Sequence, residues 1–258
     1  CVPVLDRGQL IIRRSYVTEK TDLYLCIDRQ IQNTETMIQI RNLSKHYGRR
    51  NILAGISLDV PAGSCIGILG ENGCGKSTML SILAGTLQRD TGEFFYGGED
   101  LFQNRRRHAR AVGYVPQGTP LLEELTALDN LRLWYKNRRQ IEEELENGVL
   151  GMLGIQDFLK VPVSRMSGGM KKRLSIGCAV AHRPQILLLD EPSAALDLIC
   201  KERISSYLME FKRQGGIVLL TTHDIQEIPV CDSLYILKKG KLNFYKYDGN
   251  YHHLVGNL

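Results

Sequence analysis

Residues 64–78 read SCIGILGENGCGKST. The first six form an apolar run of strand length, the next six a glycine-rich turn, and the pattern then predicts a helix over about Lys76–Ala84. Gly70-x4-Gly75-Lys76-Ser77 has the spacing of a P-loop without a gap, between a strand and a helix, where such a loop belongs. Its glycines let backbone N–H groups wrap phosphate oxygens, and the N-terminus of the following helix favours the same negative charge. In that chemistry Lys76 contacts the β- and γ-phosphates and Ser77 binds Mg2+.

Further stretches supply what a phosphate cradle needs. ILLLDEP at 186–192 is an apolar strand ending in two carboxylates. Asp190 is placed to hold Mg2+ through water, and Glu191 to polarise an attacking water as general base. His223 follows the strand GIVLLTT at 216–222. A third adjacent strand end would put it beside the γ-phosphate. Gln117 sits in GYVPQGTP, a polar Pro/Gly loop that is unremarkable by itself. SRMSGGMKKRLSI at 164–176 predicts a helix opening on Ser-Gly-Gly, a second anion site with no phosphate of its own.

The rest of the chain frames these motifs. From Met37, MIQIRNLSKHYG alternates as a strand. Residues 121–160 carry helical spacing through Ile141, Leu145, Val149 and Met152 or Leu153, interrupted by Gly148 and Gly151. Leu196–Gln214 reads as a helix stopped by Gly215-Gly216, and Gln185–Asp190, Gly216–Thr222 and Ser233–Leu237 read as strands. Strands alternating with helices predict an α/β fold with a mostly parallel sheet covered on both faces, with β-rich structure near the start. Residues 1–36 are polar and without a period, which makes Met37 the expected natural start and 1–36 an extension.

Bulk composition narrows the partners. The net charge of +5 is mild. The basic clusters Arg105–Arg107 and Lys171–Arg173 are short and read as solvated faces. No basic stripe with interleaved aromatics points to direct nucleic-acid binding. The seven cysteines are scattered with no CxxC pair, the pattern of free thiols in a reducing compartment. No apolar run approaches the roughly eighteen residues of a membrane span, so any spanning falls to another chain.

Taken together, these motifs resemble the nucleotide-binding domain of an ABC transporter over Met37 to about Leu242. Tyr47 in HYG matches the aromatic that stacks on adenine. Gly70–Thr78 matches Walker A, which implies nucleotide contacts at Gly70, Asn72, Gly73, Cys74, Gly75, Lys76, Ser77 and Thr78. Gln117 matches the Q-loop, Ser167-Gly168-Gly169 the ABC signature, Ile186–Asp190 Walker B, Ser193–Asp197 the D-loop and His223 the switch histidine. The resemblance implies ATP and Mg2+ as cofactors, Ser77, Gln117 and Asp190 at the metal, and Glu191, His223, Lys76 and Gln117 as the catalytic set. It implies a RecA-like P-loop NTPase core, an antiparallel β subdomain and a helical ABC subdomain at about 120–175, all within 37–258.

In this family two domains pair head to tail, and the SGG helix of one holds the γ-phosphate on the other's P-loop. That gives the second anion site an owner. The implied partners are a second ATPase subunit, as homodimer or heterodimer, and a polytopic membrane permease. The implied place is cytoplasmic, on the inner face of the cell membrane. The chain ends soon after its last strands and carries SGGMKKR, which resembles exporter subunits; a soluble ABC ATPase acting on ribosomes or DNA is the alternative. The family's LSGGQ is MSGGM here, with Met166 expected to keep the apolar packing and Met170 to make no polar contact. Cys74, beside a helix N-terminus and Lys76, is expected to favour the thiolate, so that alkylation there blocks ATP binding. Trp134 and Tyr135 are expected to pack in the helical part, or at most to border the groove for the membrane partner, and His252-His253 to lie on the surface.

Overall fold

A computed structural model describes residues 37–194 and 196–258. The expected 1–36 extension and Ala195 of the D-loop lie outside the described residues. Two sheets make the frame. The first is antiparallel, in the order β2-β1-β4-β5, from β1 (Ile38–Tyr47), β2 (Arg50–Val60), β4 (Thr91–Tyr96) and β5 (Glu99–Asp100). The second has the order β10-β9-β3-β8-β7-β6, from β3 (Cys65–Leu69), β6 (Val112–Val115), β7 (Ile186–Asp190), β8 (Ile217–Thr221), β9 (Ser233–Lys238) and β10 (Lys241–Tyr245). Its first five members in sequence run parallel and only β10 is antiparallel to its neighbour. The alternation seen in β1 breaks at Asn42, whose φ of 49° accompanies a register shift, so that Leu43 rather than the next even position is buried.

β3, β7 and β8 are buried along their whole length because both faces of the sheet are covered. Ile66, Ile68, Ile186, Leu188, Ile217 and Leu219 join one core with α1 (Lys76–Leu83) and the antiparallel sheet. The alternate residues Leu187, Leu189, Val218 and Leu220 join a second core with α3 (Ala127–Arg132), α6 (Gly168–Ala179) and α7 (Leu198–Arg213). This period-two division turns a uniform apolar run into a wall between two cores.

The remaining helices are α2 (Arg105–Ala111), α4 (Arg138–Asn147), α5 (Val149–Met152) and α8 (Tyr251–Asn257). Residues 121–160 are therefore several short pieces, with Gly148 in an extended conformation between α4 and α5. The apolar stripe itself is real: Ile141 and Leu153 are buried, Leu145 and Val149 pack against them, and Met152 faces outward. Met166 packs in the same core, as its apolar character requires. Tyr135 is buried and donates its hydroxyl to the Gly177 carbonyl at 3.0 Å, whereas Trp134 is not packed in the helical part and is 58% exposed, which leaves the groove-bordering reading. The solvated-face reading of Lys171–Arg173 also fails. Lys172 and Arg173 are 5% and 8% exposed, and the Arg173 guanidinium donates to the Leu153 carbonyl at 2.7 Å and lies over the Phe158 ring. Charge clustering in the sequence gives no sign of which face of α6 the fold covers.

Candidate functional site

The parallel register brings four strand ends to one edge, where ligands of open α/β sheets collect. Ile68 pairs with Thr221, Thr221 with Asp190, and Leu189 with Val115. The loops that follow β3, β7, β8 and β6 carry the P-loop, Glu191, His223 and Gln117. Tyr47, Ile52, Asn72, Gly73, Gly75, Lys76, Ser77, Thr78, Gln117, Glu191 and His223 line one cavity of about 500 Å³. Gly70 and Cys74 in the P-loop, and Asp190 at the end of β7, do not line it.

The P-loop is shaped for an anion. Asn104, Thr126, Asn137, Ser167, Asp197 and Asn250 each cap the helix they precede, whereas α1 opens on Gly75, and the one-turn α5 on Gly148, with no side-chain cap. Its first N–H groups are left for a ligand. Gly75 has φ 114°, and a Cβ there would stand 2.8 Å from Ile52 Cγ2 and 3.2 Å from the Ile52 carbonyl. Lys76 is 6% exposed and its Nζ donates to the Gly70 and Glu71 carbonyls at 2.7 and 3.1 Å. A buried cation held only by carbonyls of its own loop suits a phosphate in the space beside it.

Asp190 is 2% exposed and accepts from Thr221 Oγ1 at 2.5 Å. Glu191 adopts φ 48°, unusual for a residue with a side chain, and its N–H is held by Thr221. Both of its carboxylate oxygens are engaged: Oε2 accepts from Gln117 Nε2 at 3.0 Å, and Oε1 lies 3.1 Å from His223 Nε2. Burial and then the Lys76 charge lower the His223 pKa from 6.5, against the pull of Glu191. The lowered pKa favours the neutral ring at pH 7, with Nε2 facing Glu191 Oε1. A hydroxyl, an amide oxygen and a buried carboxylate, from Ser77, Gln117 and Asp190, are hard donors of the kind Mg2+ takes.

Cys74 departs from expectation. Burial, ahead of the opposing Lys76 charge, raises its pKa, so the thiol form prevails at pH 7. The signature residues are not in the cavity. Ser167 and Gly168 are exposed, the Ser167 hydroxyl accepts from the Met170 N–H of its own helix at 3.3 Å, and nothing lies within 4 Å of a Cβ built on Gly168. Sequence reading missed Thr221, which a hydroxyl at the end of an apolar strand could have signalled, and Lys172, which no local signal marks. Among the described residues no helix is long and apolar enough to cross a membrane.

Residues 53–194 match the family model described as ABC transporter. The chain belongs to that family. This ABC ATPase is 33% identical over 210 residues to a linearmycin resistance ATP-binding protein of Bacillus subtilis, covering 80% of this chain and 68% of that protein. It is 32% identical over 216 residues to a lantibiotic transport ATP-binding protein of Streptococcus pyogenes, covering 83% and 93%. A spermidine/putrescine import ATP-binding protein of Spiroplasma citri is 33% identical over 211 residues, covering 80% and 60%. Among solved structures, a nucleotide-free ATP-binding cassette aligns with a TM-score of 0.75 at 22% identity over 85% of this chain and 95% of that one, a likeness of fold. A dimeric cassette in a post-hydrolysis state, bound to ADP and Pi, aligns with a TM-score of 0.70 at 27% identity over 81% and 98%. The ABC ATPase thus binds and hydrolyses ATP, in a family whose members dimerise and work with membrane permease subunits.

Proposed function

We propose that this ABC ATPase energises export through a separate polytopic permease, docked on the cytoplasmic face of the membrane, and that it hydrolyses ATP at two composite sites in a head-to-tail dimer. The carrying observation is the division of its anion sites. The P-loop, Gln117, Glu191 and His223 share one cavity, while Ser167 and Gly168 face solvent outside it. The helix start at Ser167, exposed and outside that cavity, is read as the site for a partner subunit's phosphate. Export is supported by a Nod factor export ATP-binding protein of Sinorhizobium fredii, 34% identical over 213 residues, and is compatible with the relatives named for linearmycin resistance and lantibiotic transport.

The roles follow from position. Tyr47, half-exposed at the cavity rim, offers its ring to adenine. The loop from Gly70 to Thr78, including Asn72, Gly73, Cys74 and Gly75, wraps the phosphates, and Lys76 neutralises their charge. Ser77, Gln117 and Asp190 would hold Mg2+, which neutralises charge on the β- and γ-oxygens when bound. Glu191 accepts the proton of the attacking water, and His223 holds that carboxylate in place from the next strand end. Ser167, Gly168 and Gly169 complete the partner's site. The ATPase unit spans 37–258, with the helical subdomain at about 120–175.

Glu191→Gln removes the base and keeps the shape. With saturating Mg-ATP this variant is expected to elute at twice the monomer mass in size exclusion with light scattering, and to lose at least about a hundredfold in turnover. A strictly monomeric Glu191→Gln protein under those conditions would contradict the composite site.

A further inference from the structure

A second cavity, of about 1210 Å³, lies at the opposite end of the parallel sheet from the P-loop. Gln185 and Gly216, which precede β7 and β8, line it, whereas Asp190 and Thr221 end the same two strands at the nucleotide site. Its walls come from α4, α5 and α7, through Glu144, Met152, Tyr207 and Phe211, with Arg183 and Tyr96 beside them. None of these residues has a part in the proposed ATP chemistry.

Tyr207 is left unfinished by the fold. It is 6% exposed, yet its hydroxyl has no hydrogen-bond partner among the described residues, unlike that of buried Tyr135, which donates to the Gly177 carbonyl. Among those residues Ser193 Oγ is the one sealed side-chain polar atom without a partner, so the Tyr207 hydroxyl reaches open space, and the space it lines is this cavity. Burial, and then the Glu144 charge, raise its pKa and keep the proton on the oxygen. A phenol held in an apolar wall with its polar tip free calls for a partner in the cavity.

Glu144 has acceptor capacity to spare. Its two oxygens take one bond each, from the Arg183 guanidinium and the Val149 N–H, both at 3.1 Å. A carboxylate has room for about four. The Glu144 side chain is 14% exposed and that of Arg183 74%, so the ion pair offers the carboxylate only weak compensation. Glu210 is already committed to Arg213 and Gln214. Arg183 is the only cationic side chain in the lining, so an anion entering the cavity would meet Glu144 beside its one charged donor.

Aromatic faces complete the set. The Tyr207 and Phe211 ring centroids lie 6.0 Å apart with the planes tilted by 50°, and such faces attract an ammonium as well as a ring. We propose that this cavity binds an organic cation, an amine carried on an aromatic or otherwise apolar body, with the ammonium between Glu144 and the Tyr207 hydroxyl and the body against Phe211 and Met152.

The test is a saturation-transfer NMR titration of the full chain at pH 7 with tryptamine, and with indole-3-propionate, which carries the same ring and the opposite charge. Tryptamine is expected to bind with a Kd on the order of 1 mM or tighter. Indole-3-propionate is expected to bind at least about tenfold more weakly. Saturating Mg-ADP leaves the tryptamine affinity within about twofold, because the two cavities sit at opposite strand ends. Tyr207→Phe keeps the ring and weakens tryptamine about tenfold. Glu144→Gln still accepts from Val149 but loses the preference for the cation. If Glu144→Gln does not fold, Tyr207→Phe and the pair of oppositely charged probes carry the test. Absence of tryptamine binding up to about 10 mM, equal binding of the two probes, displacement of tryptamine by Mg-ADP, or wild-type affinity in Tyr207→Phe would each overturn the site.

Discussion

Cys74 shows how one residue's neighbours decide its chemistry. A helix N-terminus and Lys76 favour the thiolate, and sequence shows both. Burial of the sulfur opposes them and is the larger effect. The raised pKa sets the sign: the thiolate fraction at pH 7 is below that of a free cysteine and grows as pH rises. Alkylation of the Cys74 peptide by iodoacetamide, followed by mass spectrometry, is therefore expected to run slower at pH 7 than for free cysteine and to accelerate steeply toward pH 9. A pH 7 rate equal to that of free cysteine would contradict the burial argument. Glu191 is the counterpart: its identity was legible from DEP after an apolar strand, but its left-handed backbone and double engagement follow from neighbours 30 and 74 residues away.

At the scale of elements, α1 and α2 are joined by a histidine. His108 places Nε2 2.8 Å from the Leu83 carbonyl at the end of α1, and its ring stacks on Phe102. Burial lowers its pKa from 6.5, with the Leu83 bond opposing. The folded state therefore binds this proton less readily than the unfolded chain. The associated stability is complete above about pH 6.5 and is lost as pH falls through the folded-state value. His182, whose pKa is also lowered, has the same sign, while buried Glu227, raised by desolvation, has the opposite one. Comparison with His108→Phe isolates the effect: the melting temperature of the wild type is expected to fall more than that of the variant between pH 7 and 5.5. Parallel curves would remove His108 as the cause. The helical pieces between 121 and 160 carry a related lesson. Their buried stripe was readable from Ile141 and Leu153, but their ends were not, because each piece is shorter than an isolated helix needs and is held by packing.

At the scale of the molecule, Leu133 and Trp134 stand 60% and 58% exposed on the helical side. The transport reading makes a membrane chain the partner. A pull-down of the tagged protein from its host in mild detergent, with mass spectrometry, is expected to recover one polytopic membrane protein at near-equal amount. Recovery of ribosomal or DNA-bound proteins, with none from the membrane, would keep the ATPase chemistry and overturn export.

By itself the sequence determined the P-loop motif, the family resemblance and the parallel sheet, and it marked the candidate site residues. Gly70–Thr78, Gln117, Ser167–Gly169, Asp190-Glu191 and His223 are set by local chemistry, since glycine spacing and residues at strand ends are properties of short segments. The parallel sheet followed from uniformly apolar strands alternating with helices. Only the tertiary structure decided which of these residues meet. It placed Glu191 between Gln117 and His223, left Ser167 and Gly168 facing solvent, and buried Lys172 from a cluster that reads as surface. Burial and long-range hydrogen bonds depend on what packs against a residue, and here those partners lie 30 to 74 positions away in the chain.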